Sequence, residues 1–436
     1  MMGLAVVLAA TTALPAAADS GVRAITIGEV VALAQRNAVA VIQAEGQRRN
    51  GAAGLRSAYG AFLPSVSVSA GANRQLPTQA GQTRVVNGQI VTYAPEPWSY
   101  SASLGASVDL FTGGSRFFEL QQARAQSSAA AANLITQRNG AVLAAQQQFF
   151  NVLAARESEA AASAQLDQAQ QQLRVSVLRL KLRAVTRSDS LRSEILSHNA
   201  RLAVLQARTA LAVANASLTR AVGTPYPVTA AADSTIDRPG LSLDDESLRQ
   251  LALEGPEVRQ ATASLDAARA ALRIAWAAYL PSVTASYSRG GNGAGSSFAI
   301  GGDDLSSYSG ALRLSLSLPL FTQFQREAQT TQAQVARENA EASLRDARLA
   351  ALESLTQSLG SFHAAEERAA IQAATVQAAL EDLREQQQKY AIGAAVLLDV
   401  LTSQATLDQA RHDLIQAHYD QRFARAQLEA LVGRSL

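Results

Sequence analysis

Four stretches of the chain alternate strictly between apolar and small polar residues. From Trp98 to Leu110, the even positions are Trp98, Tyr100, Ala102, Leu104, Ala106, Val108 and Leu110, and every odd position is Ser, Gly or Asp. Over 307–318, Leu312, Leu314, Leu316 and Leu318 oppose Ser309, Ala311, Arg313, Ser315 and Ser317. Shorter versions occur at 65–70 (Val66 and Val68 against Ser65, Ser67 and Ser69) and 282–288 (Val283, Ala285 and Tyr287 against Ser282, Thr284, Ser286 and Ser288). A period of two with one greasy face predicts strands, here 64–74, 98–110, 282–289 and 307–318. Elsewhere Ala-, Gln- and Arg-rich runs without internal proline predict helices at 27–60, 115–180, 189–221, 257–279, 323–390 and 396–432. Two loops join the strands, 75–97 and the glycine-rich 290–302, the latter read as flexible.

The order of elements repeats. Leu-Pro-Ser-Val at 63–66 returns at 280–283, an offset of 217 (Pro281 minus Pro64). Leu-Phe-Thr at 110–112 returns at 320–322, and Asp189 and Gly223 return as Asp399 and Gly433, each with an offset of 210. The chain therefore reads as a tandem duplication: a first repeat over 19–223, a second over 257–436, and a linker over 224–256 with one short helix near 244–254. Each repeat runs helix, strand, loop, strand, long helix, turn, helix. The prolines suit the helix-to-strand joint, because proline offers no N–H and disfavours helical geometry in the residue before it, Leu63 or Leu280.

A helix of about 65 residues is on the order of 100 Å long, against roughly 12 residues for the ordinary globular helix. It must lie on equally long partners, in a coiled coil or helical barrel. The strand alternation fits an antiparallel sheet on a soluble core. Strand lengths of about 11–13 residues, with Trp98, Tyr100 and Tyr308 at the loop-proximal ends, favour lipid. In lipid every backbone group must be paired, so the sheet must close. Four strands are too few, since barrels begin at about eight. The protein is then expected to be an oligomer; two copies would supply eight strands and three would supply twelve.

Composition narrows the chemistry. With no cysteine there are no disulfides, thiolate sites or acylated N-terminal cysteine. Formal net charge is +2, the basic residues are nearly all arginine, and there is no dense basic block, which argues against nucleic acid. Residues 1–18, apolar from Leu4 to Leu14 and ending in Ala16-Ala17-Ala18 before Asp19, read as a secretory signal; an apolar first helix is the other reading. No run approaches 18 apolar residues, so no membrane-spanning helix is expected. His198, His363, His412 and His418 have no metal-ligand spacing, the glycine-rich 290–302 lacks the Lys-Ser/Thr of a P-loop, and no serine sits in a nucleophile elbow. The expectation is a protein that is not an enzyme and holds no cofactor or metal.

The duplicated order, the two joints, and "KYAIGAAVLLDVLTSQATLDQAR" at 389–411 resemble the TolC-type outer-membrane channels, the outer membrane efflux protein family. Tyr390, Gly393, Asp399, Val400 and Leu401 match that family's helical turn. The resemblance covers nearly all of the mature chain. It implies a membrane α+β fold: a homotrimer with a twelve-stranded transmembrane β-barrel, four strands per subunit, continuing into a long periplasmic α-helical barrel. It implies an exit duct in the outer membrane lipid, serving tripartite efflux or type I secretion with a periplasmic adaptor (membrane fusion) protein and an inner-membrane transporter of ABC, RND or MFS type. In the family the turns form the periplasmic tip and an aspartate ring narrows the pore. That role falls on Asp399, with Asp189, Tyr390 and Gly393 as gating candidates and an Asp189–Tyr390 hydrogen bond expected. Thr402 and Ala395 depart from members that carry a second aspartate and a locking arginine there. Arg183 stands where glycine is usual. Arg183, Arg187, Lys181 and Lys389 form a basic collar that could meet the adaptor or simply favour helix ends. A secreted trimeric coiled-coil or adhesin-like stalk is the competing reading, but it would not interrupt both halves with strand pairs.

Overall fold

The computed structural model describes residues 22–76, 83–92, 98–183, 186–231, 245–295 and 307–432; the expected signal at 1–18 lies outside them. In chain order the elements are β1 (Arg23–Ile25), α1 (Ile27–Asn37), α2 (Val39–Gly60), β2 (Ser65–Arg74), β3 (Thr83–Val86), β4 (Gln89–Thr92), β5 (Trp98–Thr112), α3 (Ser115–Lys181), α4 (Arg187–Val222), β6 (Val228–Ala230), α5 (Asp245–Leu253), α6 (Pro256–Ala277), β7 (Ser282–Gly295), β8 (Ser307–Ser317), α7 (Gln325–Ala391) and α8 (Leu397–Val432). The two longest helices, α3 and α7, have 67 residues each, and their return partners 36 each. The chain forms two compact units, each assembled from pieces of both repeats.

One unit, Gly46–Asn133 with Pro256–Leu349, holds an antiparallel sheet in the order β2-β5-β7-β8. The serine face is stitched across strands: Ser65 to Ser107 and Ser69 to Ser103, each 2.8 Å between hydroxyl oxygens, and the Thr284 hydroxyl donates to Asp109 at 2.8 Å. The opposite face carries Val66, Val68, Leu104, Tyr287, Leu312, Leu314 and Leu316, all exposed in the single chain. Among the described residues of the unit, nothing covers them.

The alternation expected through Leu110 breaks there. Asp109 pairs with Thr284 and Phe111 with Val283, so Leu110 is the extra residue of a bulge and Phe111 takes over the apolar face. The glycine-rich segment expected as a flexible loop is strand as far as Gly295, paired with β5. Tyr100 lies opposite Gly293 and Trp98 opposite Gly295, so each aromatic has room to lie over a residue without a side chain. Residues 296–302 of that loop lie outside the described residues. The loop expected at 75–97 contains a hairpin, β3 with β4, turned by Asn87 (φ 52°) and Gly88 (φ 82°). Asn-Gly between apolar runs is the strongest short hairpin signal.

Both helix-to-strand joints are closed by an arginine at equivalent positions, Arg116 and Arg326, 210 apart. The Arg116 guanidinium lies 5.3 Å from the centre of the Phe62 ring, donates to the Ala61 carbonyl at 3.1 Å, and donates also to the Asp109 carbonyl. Arg326 lies 4.7 Å from the centre of the Tyr279 ring and donates to the Leu320 carbonyl and the Thr322 hydroxyl, each at 3.1 Å. Each guanidinium supplies donors where helix and strand meet, to two carbonyls at the first joint and to a carbonyl and a hydroxyl at the second.

The other unit, the described residues up to Glu45 with Leu134–Gly255 and Ala350–Leu436, contains helix pairs and a small parallel pair of strands, β1 with β6. Its second strand, β6, lies in the segment expected as linker, and its first, β1, at the start of the first repeat. Ile25, Val228, Ala230, Phe149, Leu218 and Val222 form its core. The helix expected as one piece over 27–60 breaks at Ala38 (φ −60°, ψ 130°). There Asn37 donates to the Val222 carbonyl at 3.4 Å, across from Gly223. In α7 the buried positions 351, 355, 362, 365, 369, 376, 379 and 383 recur at spacings of 3, 4 or 7, and in α8 positions 403, 407, 410, 417, 424 and 428 do the same, while buried Leu397, Gln404, Tyr419 and Ala426 lie off that stripe. That 3.5-residue period is the left-handed coiled-coil seam.

Among the described residues of the sheet unit, the two strand-to-helix turns carry left-handed backbone at equivalent positions. Gly113 and Gly114 are left-handed (φ 64° and 85°), and so are their counterparts Gln323 and Phe324 (φ 52° and 62°). Side-chain-bearing residues in that region cost about 1–2 kcal/mol each. Replacing Gln323 by glycine should therefore raise stability by roughly 1 kcal/mol, read as a higher thermal midpoint in detergent; an unchanged or lower midpoint would mean that side-chain contacts of Gln323 offset the backbone cost.

Candidate functional site at the paired helical turns

The two long hairpins turn between α3 and α4 and between α7 and α8, and the turns are built by helix-end chemistry. At the end of α7, Gly393 (φ 76°) is the left-handed residue of a Schellman motif: the Ala394 N–H donates to the Lys389 carbonyl at 2.8 Å and the Gly393 N–H to the Tyr390 carbonyl at 3.2 Å. At the end of α3 the same place is held by Arg183 in the same conformation (φ 56°), its N–H donating to the Leu180 carbonyl at 2.9 Å. The helix starts are asymmetric in the opposite sense. α4 begins with a full capping box, Thr186 and Asp189 exchanging hydrogen bonds. α8 begins after Val396, which has no side-chain acceptor, and only the reciprocal half remains: the Val396 N–H donates to Asp399 Oδ2 at 3.1 Å.

The residues singled out by sequence are therefore gathered at two turns of one unit. Asp399 is exposed in the first turn of α8, and Asp189 is half-buried in the first turn of α4. The Asp189 carboxylate accepts from the Thr186 N–H at 3.2 Å and hydroxyl at 2.7 Å. Among the described residues it bonds to Thr186 alone, so in the single chain the capping box takes the place of the expected bond from Tyr390. Lys181 and Lys389 lie in the last turns of α3 and α7, where a cation complements the helix dipole; Lys389 also pairs with Glu385 at 2.6 Å. Arg187 opens α4, where the dipole does not favour it, so the helix-end account covers only part of the collar. Beside these charges stand two aliphatic side chains at equivalent positions, Leu182 and Ile392, 71% and 81% exposed.

Sequence reasoning missed a polar network next to the turns. Gln168 donates to Gln404 at 2.9 Å, Gln404 donates to Asp408 at 2.9 Å, and Gln165 donates to the other oxygen of Asp408. The bonds from Gln165 and Gln168 cross from α3 to α8, beside a cavity of about 50 Å³ lined by Gln165, Gln168, Gln172, Gln387 and Gln404 together with Ala169, Leu196, Val400 and Leu401. A second link, Ser176 to Ser193 at 2.8 Å, is buried between α3 and α4. The available signal was the spacing: Gln-x-x-x-Asp occurs at 404/408, 409/413 and 416/420, and each pair is hydrogen-bonded. Only the first pair meets glutamines from another helix.

Burial pushes the Asp408 carboxyl above its ordinary value of 3.8, while the amides of Gln404 and Gln165 and the charge of Arg411 pull it back only partly. Its folded pKa thus lies above the unfolded one. The stabilising contribution is complete in acid and is lost as pH rises through the raised pKa. Asp408→Asn should keep the helix pairs together with less dependence on pH: a thermal midpoint equal to or above wild type at pH 7, with the difference shrinking toward pH 4. A variant that melts lower at pH 7 would show that the charged carboxylate is what the glutamines hold.

No curated protein sequence matches the chain. Solved structures do match its fold. The outer membrane protein VceC from Vibrio cholerae superposes with a TM-score of 0.75 at 18% identity, covering 94% of this chain and 96% of that one. The CmeC outer membrane channel from Campylobacter jejuni gives 0.75 at 15% identity over 99% and 94%. The MtrE outer membrane channel from Neisseria gonorrhoeae, in its open state, gives 0.76 at 20% identity over 94% and 89%. The family model described as outer membrane efflux protein matches residues 30–224 and again 248–434, one match for each repeat. By that match over most of its length, the chain belongs to the outer membrane efflux protein family.

Proposed function

We propose that the protein is the homotrimeric exit duct of a tripartite efflux or type I secretion system, receiving substrate from an inner-membrane transporter through a periplasmic adaptor. The observation that carries this reading is the β2-β5-β7-β8 sheet. It has one uncovered apolar face, one serine-lined face, and two edges, β2 and β8, without a neighbour among the described residues. Such a sheet is stable in lipid only when its edges are joined, and three copies would give a twelve-stranded barrel with the serine face inward. The coiled-coil hairpins would continue that duct into the periplasm, and the energy would come from the partner.

On this reading the paired turns are the periplasmic entrance. Asp399, exposed at the start of α8, would form a ring of three carboxylates that concentrates cations. Asp189 and Tyr390 would gate beside it, with Gly393 supplying the turn that brings α8 back. The collar of Lys181, Arg183, Arg187 and Lys389 around exposed Leu182 and Ile392 offers an adaptor a mixed basic and apolar surface. The competing stalk reading has no use for a sheet with a continuous serine face.

Reconstitution in planar bilayers should give a cation-preferring conductance. Asp399→Ala should lower that preference and weaken block by multivalent cations. A protein that inserts without conducting would overturn the duct; a conducting variant with unaltered selectivity would remove Asp399 from the constriction.

A further inference from the structure

The internal duplication also contains the pairing between copies. The β2–β5 pairs sum to 172 (Ser65 with Ser107), and the β7–β8 pairs sum to 599 (Ser282 with Ser317). Their difference, 427, equals the two repeat offsets added together, 217 for the rising strands and 210 for the returning ones. The pairing within each repeat is therefore the same pairing, copied. The β5–β7 seam is of another kind, because it joins the end of one repeat to the start of the next. Above the bulge its pairs sum to 393 (Val108 with Ala285). The second repeat ends on β8, which has no outer neighbour in the chain, and the first repeat begins on β2, which also has none.

From this we infer that β8 of one copy pairs antiparallel with β2 of the next in the register of the internal β5–β7 seam. Adding 210 to each β5 position and subtracting 217 from each β7 position turns the sum of 393 into 386. Leu316 then stands opposite the partner's Ala70, Leu314 opposite the partner's Ala72, and Ser317 opposite the partner's Ser69. This inference rests on the closed-sheet reading above and adds to it a specific register.

The copied register is consistent with the strand faces and with the joints. Side-chain direction alternates along each strand, so only even sums keep leucines with alanines on the lipid side and serines with serines on the lumen side; an odd sum would turn Leu312, Leu314 and Leu316 against the serine face. The sum from duplication is even. The joints match as well. Within the chain, Gly113 packs against the joint at Ala277 and Leu280. The same operation brings Gln323 to the joint at Gly60 and Leu63 of the partner subunit. In the single chain Leu63 is exposed and no atom lies within 4 Å of where a Gly60 side chain would begin. A head-to-tail contact of this kind closes into a ring when the rotation permits.

The absence of cysteine makes the test direct. Ser69→Cys with Ser317→Cys should form an intermolecular disulfide under mild oxidation, giving dimer and trimer bands on non-reducing gels. The internal equivalent, Ser107→Cys with Ser286→Cys, has the same ladder position and should close within one chain at similar yield. The neighbouring even registers, Ser69→Cys with Ser315→Cys and Gly71→Cys with Ser317→Cys, should cross-link several-fold less. A preference for either slipped pair, or no intermolecular product when the internal control closes, overturns the register. Bilayer conductance of the same preparations separates the levels: conducting channels with the wrong cross-links sink the register alone, whereas protein that neither conducts nor cross-links sinks the closed-sheet reading beneath it.

Discussion

A backbone N–H or C=O facing hydrocarbon has no water to turn to, and leaving it unpaired costs several kcal/mol. For a sheet with one apolar face uncovered, that single constraint decides much else. It forbids free edges, so four strands cannot function alone. It places the change from strand to helix at sharp joints, where orphaned carbonyls need donors. Arg116 and Arg326 are those donors, each resting on an aromatic ring of the preceding joint, Phe62 or Tyr279. Below the joints the same polypeptide satisfies its backbone within each helix. It needs only side-chain packing to hold helices together, which the 3.5-residue seam of α7 and α8 supplies.

Much of this is legible in the sequence because it rests on periodicity. The strand faces, the helix lengths and the duplication are all statements about spacing. The turns were legible as places but not as geometry: Thr186-x-x-Asp189 has the spacing of a capping box, whereas the expected bond from Tyr390 came from the family resemblance and not from the residue order. The bulge at Leu110 was hidden because Leu110 and Phe111 are both apolar, so alternation cannot show which one is extra. The hairpin at Asn87-Gly88 was legible and was masked by the polar composition around it. The glutamine network was illegible for a deeper reason. Glutamines on a helix face usually meet water; Gln404 and Asp408 are one turn apart on α8, but only the crossing of α3 and α8 brings Gln165 to that carboxylate and Gln168 to Gln404.

The two repeats share their middles and differ at their ends, and the differences have a common form. At the turns, the first repeat has the better helix start (Thr186 with Asp189) and the worse helix stop (Arg183 left-handed), while the second has the better stop (Gly393) and the worse start (Val396). A non-glycine residue in that left-handed position costs about 1–2 kcal/mol, and losing a capping side chain costs about 1 kcal/mol. The two hairpins therefore carry defects of similar size in different places. At the joints the pattern is one-sided: Gly113-Gly114 accept the left-handed turn freely, whereas Gln323-Phe324 hold it under strain.

Strain kept at particular positions points to a constraint from outside the local backbone. In the first repeat the joint meets another joint of the same chain, and the close approach of Gly113 to Ala277 leaves no space for a side chain. In the second repeat the joint faces whatever lies beyond β8, and there the chain keeps Gln323 and Phe324 at a cost. An internal seam needs only to close, and glycine closes it best. An external seam must also choose its partner and register, and glycine has no side chain with which to do so. If the sheet closes between copies as proposed, the duplicated architecture separates two demands that a single repeat would have to meet together: rigidity where the chain meets itself, and recognition where it meets a copy.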